Sequence, residues 1–116
     1  MKSIKLFGKE YPFRMTARVY TGFEKISGLS MINFDATKET LTTNIMLLYA
    51  TLKANYPEFM EWSAFMTALD ELDNVITDIA INVAEIVAEH SRLVEESASK
   101  IIQSVEKELA DESKKK

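Results

Sequence analysis

Cysteine is absent from the 116 residues, which excludes disulfides, thiolate nucleophiles and Cys-ligated zinc and agrees with a reducing compartment. Glycine occurs three times and proline twice. Gly8, Gly22 and Gly28 cannot be fitted to a G-x-x-x-x-G-K-[ST] or G-x-G-x-x-G loop, so no phosphate cradle is expected. Histidine occurs once, at His90, and no second titratable partner is nominated for it. No run of about 18 apolar residues exists, and Met1-Lys2-Ser3 leads straight into an alternating stretch, so neither a membrane span nor a secretory signal is expected. No compact Lys/Arg stripe with interleaved aromatics is present, so nucleic acid is not an expected partner.

What is present is a long helical pattern. The hydrophobic share of 47% and charged share of 28% belong to a globular chain of one domain. From Val75 to Leu109 there is no Gly or Pro, and Ile76, Ile79, Val83, Ile86, Val87, Leu93, Val94, Ile101, Ile102, Val105 and Leu109 recur at helical spacing. Unbroken, that segment is about 52 Å long, whereas a compact chain of this length is near 35 Å across. Such a helix either folds back or overhangs its own body. Residues 1–56 carry a net charge of +4 and the remainder −8, most simply read as solvated faces.

The start of the chain reads as a β-hairpin. Ser3–Phe7 and Glu10–Arg14 flank Gly8-Lys9, with Gly8 expected at the first central position of a type II′ turn. That register pairs Leu6 with Tyr11 and Ile4 with Phe13, leaving one apolar face for helices to cover. Thr16 is the expected cap of a first helix carrying Val19, Phe23 and Ile26 and closed by Gly28. Asp35 or Thr37 is expected to cap a second, marked by Leu41, Ile45, Leu48 and Leu52, which ends at Asn55-Tyr56-Pro57. Pro57 is expected in the first turn of a third helix with Phe59, Trp62, Phe65, Met66 and Leu69, and Asp73 or Asn74 caps the last. The expected fold is therefore mainly α, a short N-terminal hairpin on a bundle of about four helices with a long C-terminal helix. Residues 1–74 form the hairpin plus three-helix core, and 75–116 the interaction helix and charged tail of the same domain.

Catalytic, metal and cofactor sites are not expected. Asp70, Glu71, Asp73 and Asp78 lack the glycine and spacing of a calcium loop and read as a solvated face, and His90 reads as a boundary residue. Met31, Met46, Met60 and Met66 are either core fillers or an adaptable client surface. In the last helix the seven-residue spacing of Ile76, Val83 and His90, and of Ile79, Ile86 and Leu93, gives way after Leu93 to Val94, Ala98, Ile101, Val105 and Leu109. That frame shift predicts two sub-faces, one on the domain and one on another protein. The candidate protein-interaction residues are Ile79, Val83, Ile86, Leu93, Val94, Ile101, Ile102, Val105 and Leu109. Burying Ile101, Ile102, Val105 and Leu109 alone would gain at most about 6–12 kcal/mol, on the scale of a small domain's whole stability.

The segment Ile4-Lys5-Leu6-Phe7-Gly8-Lys9-Glu10-Tyr11-Pro12-Phe13-Arg14-Met15-Thr16, followed by the helical stretch Ala17 to Gly28, resembles the start of tail assembly chaperones of long-tailed bacteriophages and prophages. The likeness is one of pattern and size and covers roughly Met1 to Asn74. It implies a non-enzymatic protein of the bacterial cytoplasm, missing from the mature virion, that binds the tape-measure protein and helps recruit tail-tube subunits. A homo-oligomer is the expected state. In that family a longer form made by frameshifting is common, and Lys114-Lys115-Lys116 is compatible with a slippery tract and equally with a plain solvated tail. The rival reading is a small helical interaction protein, either secretion-associated, from Trp62-Ser63-Ala64 between two helices, or a structural or regulatory subunit. The hairpin and a mid-helix Trp62 argue against the secretion reading.

Overall fold

The computed structural model describes residues 2–114, with side-chain environments to Ala110. Two strands, β1 (Lys2–Leu6) and β2 (Lys9–Phe13), precede four helices, α1 (Ala17–Ser27), α2 (Leu41–Asn55), α3 (Trp62–Asp70) and α4 (Val75–Lys114). The architecture is mainly helical, with the hairpin laid on the helices.

The hairpin keeps the expected faces but not the expected register. Leu6 pairs with Lys9, Ile4 with Tyr11 and Lys2 with Phe13, so Phe7-Gly8 is the two-residue turn. Phe7 and Gly8 both have positive φ, 57° and 70°, the pattern of a type I′ turn, whose twist matches that of the strands it joins. A slip of two residues preserves side-chain parity, so Ile4, Leu6 and Phe13 still point into the core. Phe7 tolerates a left-handed backbone because its ring packs edge-to-face on Phe65, centroids 6.0 Å apart. Sequence patterning alone misses that compensation.

Helix α1 begins after Thr16 and closes at Gly28, whose φ of 76° lets its N–H reach Glu24 O. The Thr16 side chain makes no capping bond. Two other boundaries differ from expectation. Thr40, not Asp35 or Thr37, caps α2, its hydroxyl accepting from the Thr43 amide, while Asp35 instead closes a local turn onto Thr37. Helix α3 begins at Trp62, so Pro57 and Phe59 lie in the α2–α3 connection and Trp62 is the first helical residue, not a mid-helix one. Its ring packs against Tyr49 at 5.3 Å and is half-buried, a core support for the α2–α3 junction.

Helix α2 is central, with a broad buried arc from Ile45 to Leu52, whereas Leu41 at its start is exposed. It touches α1, α4 and β2, which is why so wide a face is apolar. Phe65 is fully buried among the rings of Phe7, Tyr49 and Phe59. Met31 is buried and Met46, Met60 and Met66 line the core's edge, so these four are fillers. The boundary expected at residue 74 does not divide core from appendage, because Ile79, Val83 and Ile86 of α4 belong to the same hydrophobic cluster as β1, α1 and α2. Helix α4 runs 40 residues, and the molecule measures 68 × 26 × 23 Å with a radius of gyration of 18.0 Å. A compact chain of this size would have about 13 Å. The difference is the distal half of α4, which overhangs the body.

Candidate interaction surface

One face of α4 is fastened to the body by packing and by an asparagine. Ile79, Val83 and Ile86 are buried at 1% exposure or less. Between them Asn82, also buried, accepts the Lys5 amide proton on Oδ1 (2.8 Å) and donates from Nδ2 to the Lys5 carbonyl (3.0 Å) and to Asp78 O (2.7 Å). The outward-facing N–H and C=O of β1 at Lys5 are thus paired by a side-chain amide, which seals that strand edge. Asn55 at the end of α2 makes the same three bonds, with Arg14 N and O and with Thr51 O. A lone asparagine in an apolar pattern carries no local signal of this role, because its partner is 77 residues away.

Further along, Tyr20 Oη and His90 Nδ1 are 2.9 Å apart, joining α1 to α4. Burial holds the His90 pKa below its ordinary 6.5, and burial, then the Glu89 charge, raises that of Tyr20. His90 is a boundary residue tied to a neighbouring helix. Because the folded state resists protonating His90, its stabilising share is complete above pH 6.5 and is lost as pH falls from 6.5 through the lower folded value. Urea midpoints measured across that window should therefore drop more steeply for the natural chain than for His90→Gln. Arg92 binds Glu89 and Glu96 on the outer surface, and these hydrogen bonds hold the Glu89 carboxyl below the usual range. Among the described residues no group of three or more His, Asp or Glu comes together to hold a metal ion.

The nine candidate interaction residues separate into three groups. Ile79, Val83 and Ile86 are spent on the protein's own core, a correction to their reading as partner contacts. Their heptad spacing followed the body, not a partner. Leu93 is half-buried beside a shallow cleft shared with Phe13 and Met15. Val94, Ile101, Ile102, Val105 and Leu109 stand 49–63% exposed, with no described part of the chain packed over them.

Sequence reasoning missed where this open surface begins. Ile76 is 59% exposed at the first turn of α4, and it forms the end of an apolar groove of about 890 Å³. One wall of the groove is Ala80, Ala84, Val87 and Ala88 of α4, and the other is formed by Phe34, Ala36 and Leu41 together with the polar Asp35, Thr37, Glu39 and Asn44. An 11-residue spacing links this groove to the overhanging half: Ile76, Val87, Ala98 and Leu109 form one row, and Val94 and Val105 continue another that starts at the buried Val83. On a 3.6-residue helix such a row drifts only about 20° in three turns. The stripe about 100° wide that contains these rows carries no charged residue between Ile76 and Leu109. Two apolar faces therefore share one helix, a short one turned inward and a long one turned outward. The frame shift after Leu93 is the point where the inward face runs out.

Comparison with family models, curated proteins and solved structures returns no match to this chain. Among the described residues, no helix is long and apolar enough to cross a membrane.

Proposed function

We propose that the protein is a non-enzymatic assembly chaperone of the long-tailed phage type, which covers a helical client, the tape-measure protein, in the bacterial cytoplasm and helps recruit tail-tube subunits. The observation that carries this reading is the uncharged stripe about 50 Å long on α4, which forms one wall of a mainly apolar groove near the body and stands open along the overhanging half. A surface of that length and shape is suited to helix-on-helix packing with an extended client, not to a small molecule. Contiguous apolar exposure on this scale in a monomeric protein marks an interaction site. The N-terminal resemblance supports the choice of the tape-measure protein as client.

Calorimetric titration against overlapping segments of the tape-measure protein tests the reading. The double variant Ile101→Glu/Val105→Glu should weaken binding at least about tenfold, since either side chain is worth more than 1.4 kcal/mol when buried. Its far-UV circular dichroism and urea midpoint should stay unchanged, because both residues lie outside the core. Undiminished affinity in that variant, or no affinity in the natural chain, would remove α4 from the client site.

A further inference from the structure

The stripe on α4 is not uniform along its length, and its two halves fit each other. Near the body it is lined by small residues, Ala80, Ala84 and Ala88, and forms a groove. On the overhanging half it is lined by Ile101, Ile102, Val105 and Leu109, which project as knobs. We propose that a second copy of this chain lies antiparallel along α4, each overhanging half seated in the other copy's groove. This names an occupant for the surface assigned above and rests on that reading only in taking α4 as protein-binding.

Register follows from centring the two stripes on each other. With Ile76 of one copy level with Leu109 of the other, Val105 meets Ala80, Ile101 meets Ala84, Val87 meets Ala98 and Val94 meets Ser91. Val105 on Ala80, Ile101 on Ala84, Val87 on Ala98 and Val94 on Ser91 each set a large side chain against a small one, the condition for close helix approach without voids, while Ile76 and Leu109 close the two ends as a pair of large side chains. A parallel pair in the same register would set Ala80 on Ala80 and Ile101 on Ile101, leaving a gap at one end and crowding at the other. It would also bring the Phe34–Leu41 walls of both grooves to the same level.

Area favours pairing as well. A strip about 50 Å long and one helix diameter wide, about 10–12 Å, gives about 500–600 Å² per copy. The total of about 1,000–1,200 Å² sits at the lower edge of specific interfaces. That size suits a dimer that a client helix can displace. The 11-residue repeat predicts nearly straight helices with a slight right-handed wrap.

The absence of cysteine makes the test direct. In the Ala80→Cys/Val105→Cys variant the two thiols of one chain lie about 37 Å apart along a single helix, so they cannot join within it. Oxidation should give a covalent dimer that reductant dissolves. The single variant Leu109→Cys should stay uncrosslinked, because the two copies of that position are about 50 Å apart in the antiparallel pair. Light scattering of the natural chain over a concentration series should rise from monomer to dimer mass. Crosslinking through Leu109→Cys, a dimer that the double-cysteine variant fails to trap, or a monomer at every concentration would each overturn the pairing. All three substitutions lie outside the buried core, and circular dichroism of each variant checks that the helices persist. Client titrations are scored separately, so either result can fail while the other stands.

Discussion

Phe65→Ala is expected to cost about 3–5 kcal/mol, the largest loss of any single truncation in this core. Phe65 is fully buried, and its ring meets those of Tyr49 at 5.4 Å, Phe59 at 5.6 Å and Phe7 at 6.0 Å. Removing it opens a cavity where α2, the α2–α3 connection and the hairpin turn converge. The Phe7 ring also loses the contact that offsets its positive φ, so the turn itself is weakened. Phe65→Leu refills much of the space and should cost only about 1–2 kcal/mol. Urea denaturation followed by circular dichroism measures both. If Ala and Leu prove equally tolerated, the aromatic cluster is not the centre of the core.

Asn82→Ala is expected to cost about 2–4 kcal/mol, because it strands the Lys5 N–H and C=O, each worth about 1–3 kcal/mol when left unpaired away from water. Asn55→Ala removes the same three kinds of bond at a half-buried site, where water can replace them, and should cost about 1 kcal/mol. The contrast isolates desolvation from bond count. Asn82→Asp separates the two bonds further. At neutral pH its carboxylate faces the carbonyls of Lys5 and Asp78 where an amide donor stood, so the variant should be at least as unstable as Asn82→Ala. Burial raises the pKa of such a group, so its deficit should shrink as pH falls and the protonated acid regains a donor. Equal losses at positions 55 and 82, or an Asn82→Asp deficit that grows on acidification, would refute this account of the strand edge.

These core variants and the α4 stripe variants probe different properties. Ile101 and Val105 are exposed and belong to no part of the core cluster, so charging them leaves folding alone and acts on association. Phe65 and Asn82 act on folding and reach association only by depleting the folded body. A variant set in which both groups shift both readouts would mean that the overhanging half packs on the body in solution.

Much of the architecture was legible from local pattern. The period-2 alternation of Ile4, Leu6, Tyr11 and Phe13 and the 3.6-residue periods of α1, α2 and α4 specify element type, because burial of one face is a strong and repeated constraint. Gly28 and Tyr56-Pro57 stop their helices for reasons confined to the backbone itself. The turn at Phe7-Gly8, the cap at Thr40 and the start of α3 at Trp62 were less legible. At each, neighbouring residues offer nearly equivalent local solutions, and a contact distant in sequence or a shared core selects among them.

The sequence by itself determined that residues 75–109 follow a helical period with more apolar surface than a small body can shelter, since periodicity and the lack of helix breakers are properties of the chain alone, and it left open whether that helix folds back or overhangs. Tertiary structure decided which apolar residues are sheltered. Ile79, Val83 and Ile86 resemble Ile101, Val105 and Leu109 in chemistry and differ in having β1 and α2 within reach. Burial depends on where the rest of the chain lies, and a helical period records a face without recording what stands opposite it.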